Sequence, residues 1–457
     1  MKKNIFSIII LGLALSSCSG VKNLAKPDVE MPTAYSDNRS DSICQADIDW
    51  IEFYTDPLLV TIIKKALEHN KDIKIAASRM EELRLLYGID KLNYLPSVSA
   101  VAGITNETND YYDGNFKRSR EISLKGTLNW EVEFFGGLSY AQQKSRAQFI
   151  ASVYDRRAME MTVIAEAAKA YFNLIALENE LNIVKKTITT RQQALEKSHL
   201  RFEGGLTSEI VYQQAKVELA TTEAMVPGII SRIEVAKNAL FIIMGEFPKD
   251  GFTVSSSKFR EDLPDTFPVG IPSQLLERRP DLMASEFRLK ASLASAGVGY
   301  SNQFPKLVIG LTGGAENDEL SSLLKSPFSY ILGNITGTIF DFGRKHKKYK
   351  SLCAAYDQAR FTYEKNVITA FTEVSNSIII AKQSAETVRK RKELRDAALK
   401  YVDLANKQYI GGTINYIDVL DAQRRYFDAQ INLSNAMRDQ YISMVNLYKA
   451  LGGGWKI

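Results

Sequence analysis

Two aspartates three residues apart, Asp418 and Asp421, follow a Gly-Gly turn in the stretch YIGGTINYIDVLDA, Tyr409 to Ala422. A spacing of i and i+3 puts both carboxylates on one face of a helix, within its first turns. Read from the residues alone, acids near a helix N-terminus offset the positive end of its dipole. An earlier stretch, RFEGGLTSEIVYQQA from Arg201 to Ala215, has the same turn at Gly204 and Gly205. There Val211 and Gln214 stand where Asp418 and Asp421 stand after Gly411 and Gly412.

Other chemistry is thinly provided for. The 457 residues include only 3 His (His69, His199 and His346), and they are far apart in the chain. None has metal-ligand spacing. No glycine-rich loop carries a phosphate-binding lysine, no serine sits in a nucleophile elbow, and no CxxC occurs. The chain reads as a non-enzyme that needs no cofactor, metal or nucleic acid, and its formal net charge is +5.

The chain opens with MKK, a short apolar run IFSIIILGLAL and then LSSC. This is the layout of a secretory signal, and the apolar run is shorter than the ~20 residues that span a bilayer as a helix. Ending on Cys18 resembles a bacterial lipobox, which implies cleavage after residue 17, lipidation of Cys18 and, with Ser19 next, the outer membrane. Cys44 and Cys353 remain, and a bridge between them is an open question in an oxidising compartment.

The elements that position the acid pair come in two copies. At an offset of 207 residues Gly204/Gly205 match Gly411/Gly412, Ala215 matches Ala422, Gly245 matches Gly452 and Phe135 matches Phe342. Further upstream an offset of 209 pairs Asp72 with Asp281 and Pro96 with Pro305, so a two-residue length change lies between, within about 106–126. Each copy reads as a helix, two strands and two long helices. In REISLKGTLNWEVEFF, Ile122, Leu124, Leu128, Trp130, Val132 and Phe134 alternate with polar and charged residues, the period-two pattern of a strand. KLVIGLTGGAEN and SYILGNITGTIFDF supply the second pair. Apolar seams stepping 4,3,4,3 run from Val163 through Leu174 and Val184 to Ile188, and from Val367 through Val374 and Ile378 to Val388. Such seams belong to coiled-coil-like packing. Leu138 to Phe202 alone is ~100 Å long if wholly helical. Pro227-Gly228 predicts a break or kink in the returning helix of the first copy.

Four strands cannot close a barrel, and open edges cannot lie in lipid. If the strands are membrane strands the protein must oligomerise, and three copies give twelve strands. GRKHKKYK, Gly343 to Lys350, follows the last strand directly. It reads either as a solvated helix start or as a basic collar near lipid phosphates.

The segment LLERRPDLMASEFRLKASLASAGVGYSNQFPKLVIG, Leu275 to Gly310, together with the YxxGTxxxxDVLDA pattern, resembles TolC-type outer membrane efflux proteins (outer membrane factors). Cys18 points to the lipidated OprM/NodT-like branch. The resemblance runs from about Trp50 to Leu451. It implies a mainly α fold with β: long duplicated helical hairpins forming an α-barrel tunnel, plus four strands per protomer in a trimeric twelve-stranded transmembrane β-barrel. It divides the chain into a signal peptide (1–17), a lipidated N-terminal segment (18–56), repeat 1 (57–245), an equatorial linker (246–271), repeat 2 (272–452) and a tail (453–457). The implied function is the exit duct of a tripartite pump exporting small amphiphilic compounds. That duct is lipid-anchored in the outer membrane of a Gram-negative bacterium and extends into the periplasm. Implied partners are two further copies in a homotrimer, outer membrane lipid, a periplasmic adaptor (membrane fusion) protein and a proton-driven inner-membrane pump of the resistance-nodulation-division type. A protein-secretion duct and a non-conducting coiled-coil envelope lipoprotein are the alternatives.

By the same resemblance Asp418 and Asp421 form the pore constriction, in a trimer two rings of three carboxylates that attract cations and raise the pKa of some members, and Tyr409, Gly411, Gly412 and Ile414 form the gate tip. Gly204, Gly205 and Val211 then belong to an adaptor-facing tip. The family's type member has a basic residue where this chain has Ile414, and its acidic partner falls at Val211. That latch is missing here, and apolar packing of Ile414 and Val211 is expected instead.

Overall fold

The alternating and 4,3-spaced segments become strands and helices in the computed structural model, which describes residues 24–25, 27–35, 44–110, 116–254, 268–338 and 340–455. The expected signal segment and Cys18 lie outside the described residues. In chain order the elements are α1 (Trp50–Phe53), α2 (Pro57–His69), α3 (Lys71–Leu92), β1 (Ser97–Asp110), β2 (Phe116–Val132), α4 (Gly137–Glu203) and α5 (Glu209–Met244). They continue as α6 (Leu275–Arg278), α7 (Pro280–Ser301), β3 (Lys306–Asn317), β4 (Pro327–Thr336), α8 (Arg344–Ile410) and α9 (Tyr416–Ala450). α3 and α7 have 22 residues each, and α4 and α8 have 67 each. The starts of the first pair fall at the 209-residue offset and those of the second at the 207-residue offset.

The residues group into two compact units. One holds Ser78–Val153 and Ala284–Lys365 with the start of the chain, and the other holds Glu30–Ala77, Tyr154–Met283 and Asn366–Ile457.

The first unit contains one antiparallel sheet of order β1-β2-β3-β4. Its register aligns the apolar positions of all four strands: Val98 lies opposite Leu128, Leu128 opposite Leu311, and Leu311 opposite Ile331. Val98, Leu124, Leu311, Ile331 and Ile335 on this face are exposed. The other face pairs charges. Lys125 bridges Glu121 and Glu316 at 3.1 and 3.2 Å, Lys306 meets Glu131 at 2.8 Å, and Thr127 and Thr312 share a hydrogen bond of 3.2 Å. Among the described residues β1 and β4 each pair on one side only, so two edges stand open. β4 ends at Thr336, short of the segment read as strand; its last ladder partner is Lys306, where β3 begins after Pro305.

In the second unit the first seam is the core. Val163, Ala167, Leu174 and Val184 are buried, with Leu181 and Ile188 packed against the same cluster. The second seam buries Val367, Val374, Ile378 and Val388. α5 continues through Pro227 as one helix, so the break expected there does not occur. A proline inside a helix costs ~3 kcal/mol, and burial of Ile229 and Ile233 with Met225 and Val226 packed beside them offsets it. Gly245 and Gly452 close the two copies alike. Each has positive φ, 67° and 88°, and each packs its bare α-carbon on a carbonyl, that of His69 and that of Arg278 respectively. A short helix at Trp50–Phe53, N-capped by Asp49, closes the N-terminal segment. Cys44 and Cys353 are not bridged, and the buried Cys44 thiol lies 3.5 Å from the Val269 carbonyl.

Candidate functional site

Both Gly-Gly turns are helix-ending loops of one design. After α4, Gly205 takes φ 72° and Leu206 N–H donates to Arg201 O at 2.8 Å. After α8, Gly412 takes φ 73° and Thr413 N–H donates to Gln408 O at 3.0 Å. A left-handed residue here suits glycine, and the back-bonded amides satisfy carbonyls that the helix end leaves open. The two tips sit side by side. The Arg201 guanidinium lies 5.3 Å from the Tyr409 ring centre, and Tyr409 lies 5.4 Å from Tyr416. Val211 and Ile414 pack against one cluster formed by Ala215, Ala405, Tyr416, Val419, Leu420 and Ala422. Both side chains are thus held by apolar packing.

The two aspartates have different surroundings. Asp418 is the third residue of α9, and its carboxylate accepts from Asn415 N–H at 3.0 Å, one half of a capping box. Asp421 accepts from Arg425 Nε at 2.7 Å, one turn on, and from the Tyr401 hydroxyl at 3.4 Å. The hydrogen bond from Arg425 holds the Asp421 carboxyl below the usual carboxylate range, with Tyr401 and Arg424 adding to it. The Asp421–Arg425 ion pair is therefore complete at neutral pH. It is lost only as pH falls through the depressed Asp421 value, below the ordinary aspartate pKa of about 4. Within one protomer Asp421 is already part-compensated by Arg425.

A buried ion network lies on the helical side of the tips, and the sequence reading did not name it. Glu218 on α5 accepts from Arg191 on α4, with Nη2 at 2.9 Å, and from Arg424 on α9, with Nε at 2.8 Å. Arg191 Nη1 also donates to the Glu218 carbonyl at 2.7 Å and to the Thr222 hydroxyl. The signal was present. The seam Val163 to Ile188, stepped on by three, lands on Arg191, and Val211, Ala215, Glu218 and Thr222 continue the 4,3 spacing on α5. Polar residues at seam positions must pair when buried. One carboxylate thus ties three helices from both copies together beside the acid pair.

This geometry can hold two hairpin tips in one arrangement and present carboxylates beside them. The outer membrane efflux protein family model matches residues 62–246 and 271–453, once on each copy. The chain belongs to the outer membrane efflux protein family. Curated relatives agree over nearly their full length. The probable outer membrane lipoprotein SilC of Salmonella typhimurium is 26% identical over 99% of this chain and 99% of its own. The toluene efflux pump outer membrane protein TtgI of Pseudomonas putida is 28% identical over 99% and 98%. Among solved structures the outer-membrane channel OprN superposes with a TM-score of 0.84 at 26% identity, covering 94% of this chain and 99% of that one. The fold is that of an α-barrel joined to a β-barrel, and its members serve as outer membrane exit ducts of efflux pumps, not as enzymes. Such a duct works with an adaptor and an inner-membrane component.

Proposed function

We propose that this efflux protein acts as a homotrimeric duct whose periplasmic mouth is set by Asp418 and Asp421, with residues 57–245 and 272–452 as its two repeats. The observation that carries the reading is the asymmetry of two otherwise matched tips. Both turns share one backbone design, yet only the second is followed by carboxylates on one helical face. Three protomers bring three copies of each carboxylate to the axis. The second hairpin then lines the opening, with Tyr409, Gly411, Gly412 and Ile414 at its edge. The first hairpin, with Gly204, Gly205 and Val211, is the neighbouring wall and offers its outer side to the adaptor. The open edges of β1 and β4 support the trimer, since twelve strands close where four do not. Cys18 is its lipid anchor. The exported compounds are small and amphiphilic, and the energy comes from a proton-driven resistance-nodulation-division pump reached through the adaptor.

Cross-linking tests this arrangement. In a Cys44→Ser/Cys353→Ser background, Asp421→Cys trimers treated with a short bis-maleimide are expected to give covalent dimers and trimers, while Val211→Cys trimers stay monomeric on a denaturing gel. Efficient cross-linking at position 211 and none at 421 would reverse the assignment of the two hairpins.

A further inference from the structure

We infer that the start of α8, with the aromatic turn before it, is a docking surface for the phosphate headgroups of anionic phospholipid. The inference rests on the membrane reading of the sheet. Arg344, Lys345, Lys347, Lys348 and Lys350 bring five cations into seven residues. They occupy the first turns of a helix, where the dipole disfavours positive charge. The strand-to-helix junction itself does not need them. At the 207-residue offset the first copy has Gly137, Leu138, Tyr140, Ala141 and Gln143, and it folds into a helix of the same 67 residues. Both junctions are capped by an acid instead. Glu133 accepts from Ser139 N–H at 2.9 Å, and Asp341 accepts from Gly343 and Lys345 N–H at 2.9 Å.

Among the described residues Lys345, Lys347, Lys348 and Lys350 form no salt bridge within 4 Å; Arg344 donates to the Asp341 carbonyl at 3.2 Å, and with Lys345 it acts on the Asp341 carboxylate from a distance. Beside them Phe340 and Phe342 are 72% and 81% exposed, with ring centres 4.6 Å apart. Exposed aromatics at a strand end mark the membrane–water boundary of a barrel. Lys345 also lines an open groove of about 660 Å³ with Lys306, Phe304 and Ile335. Charge and apolar surface thus meet as they do in a phospholipid. The N-terminal segment is tied to the same helix, since the Tyr356 hydroxyl donates to Ala25 O at 2.8 Å.

Native mass spectrometry of purified full-length trimers tests this, with phosphatidylglycerol or phosphatidylcholine added to the micelle. Wild type is expected to retain phosphatidylglycerol at least about tenfold better. Replacing the four lysines with glutamine removes the preference, and replacing them with arginine keeps it. Equal retention of the two lipids by wild type, or an undiminished preference in the glutamine variant, overturns the inference. If the glutamine variant does not assemble, wild type in high salt decides, because a surface charge effect must shrink there. Retention of phosphatidylcholine reports the membrane reading separately.

Discussion

Glu218→Ala is expected to destabilise the helical hairpins by about 3–5 kcal/mol, because it strands a buried guanidinium. The Arg191 and Glu218 side chains are 8% and 9% exposed. Burial already pulls Arg191 downward, and Glu218 acts against that pull. With Glu218 gone, Arg191 keeps Thr222, a backbone carbonyl, the Phe427 ring at 5.7 Å and the weaker pull of Tyr416 and Asp428. Arg424 behaves differently. Its side chain is 58% exposed, water replaces its partner, and Arg424→Ala is expected to lose about 1 kcal/mol or less. The double variant Arg191→Leu/Glu218→Leu should fall between the two, since well-packed apolar residues replace a buried pair at small cost. Denaturation followed by helical circular dichroism ranks the three. Equal losses for Glu218→Ala and Arg424→Ala would mean that the network is a surface decoration.

The second large effect separates the two faces of the sheet. Leu124 lies half-way along β2 on the exposed apolar face, opposite Ala102 and Ala315. Leu124→Arg is expected to cost about 2–4 kcal/mol, the penalty for a cation on the lipid face of a barrel near the midplane. Ser123, its neighbour, points to the other face and lies opposite Glu316. Ser123→Lys there gains a partner and should change stability by about 0.5 kcal/mol or less. The yield of heat-resistant trimer after refolding into vesicles reads both. Comparable losses would mean that the apolar face is not turned to lipid.

Much of this was legible in the chain because the signals are periodic. Alternation located β3 to the residue, and the 4,3 seam located the core of α4. The Gly-Gly pairs marked both tips, because only glycine takes the left-handed step without strain. Local rules failed where tertiary contacts outweigh them. Pro227 sits inside α5 because its neighbours are buried, and β4 stops at Thr336, opposite Lys306, where its partner strand begins. The ion network went unnamed for a different reason. An apolar seam was followed only while it stayed apolar, and Arg191 and Glu218 are its polar continuation. The acid pair was found by spacing, but spacing does not show that Asp418 caps its own helix or that Arg425 partners Asp421.

The acid pair is the point on which the functional reading turns, and ion selectivity in a planar bilayer tests it most directly. Purified wild-type trimer should give a small cation-selective conductance that millimolar divalent ions block. Selectivity should hold at pH 5, since Asp421 is held in its charged form. Asp418→Asn/Asp421→Asn should lose both the selectivity and the block. Selectivity and block unchanged in the double variant would contradict the gate, leaving Asp418 and Asp421 as a helix cap and an intrahelical ion pair.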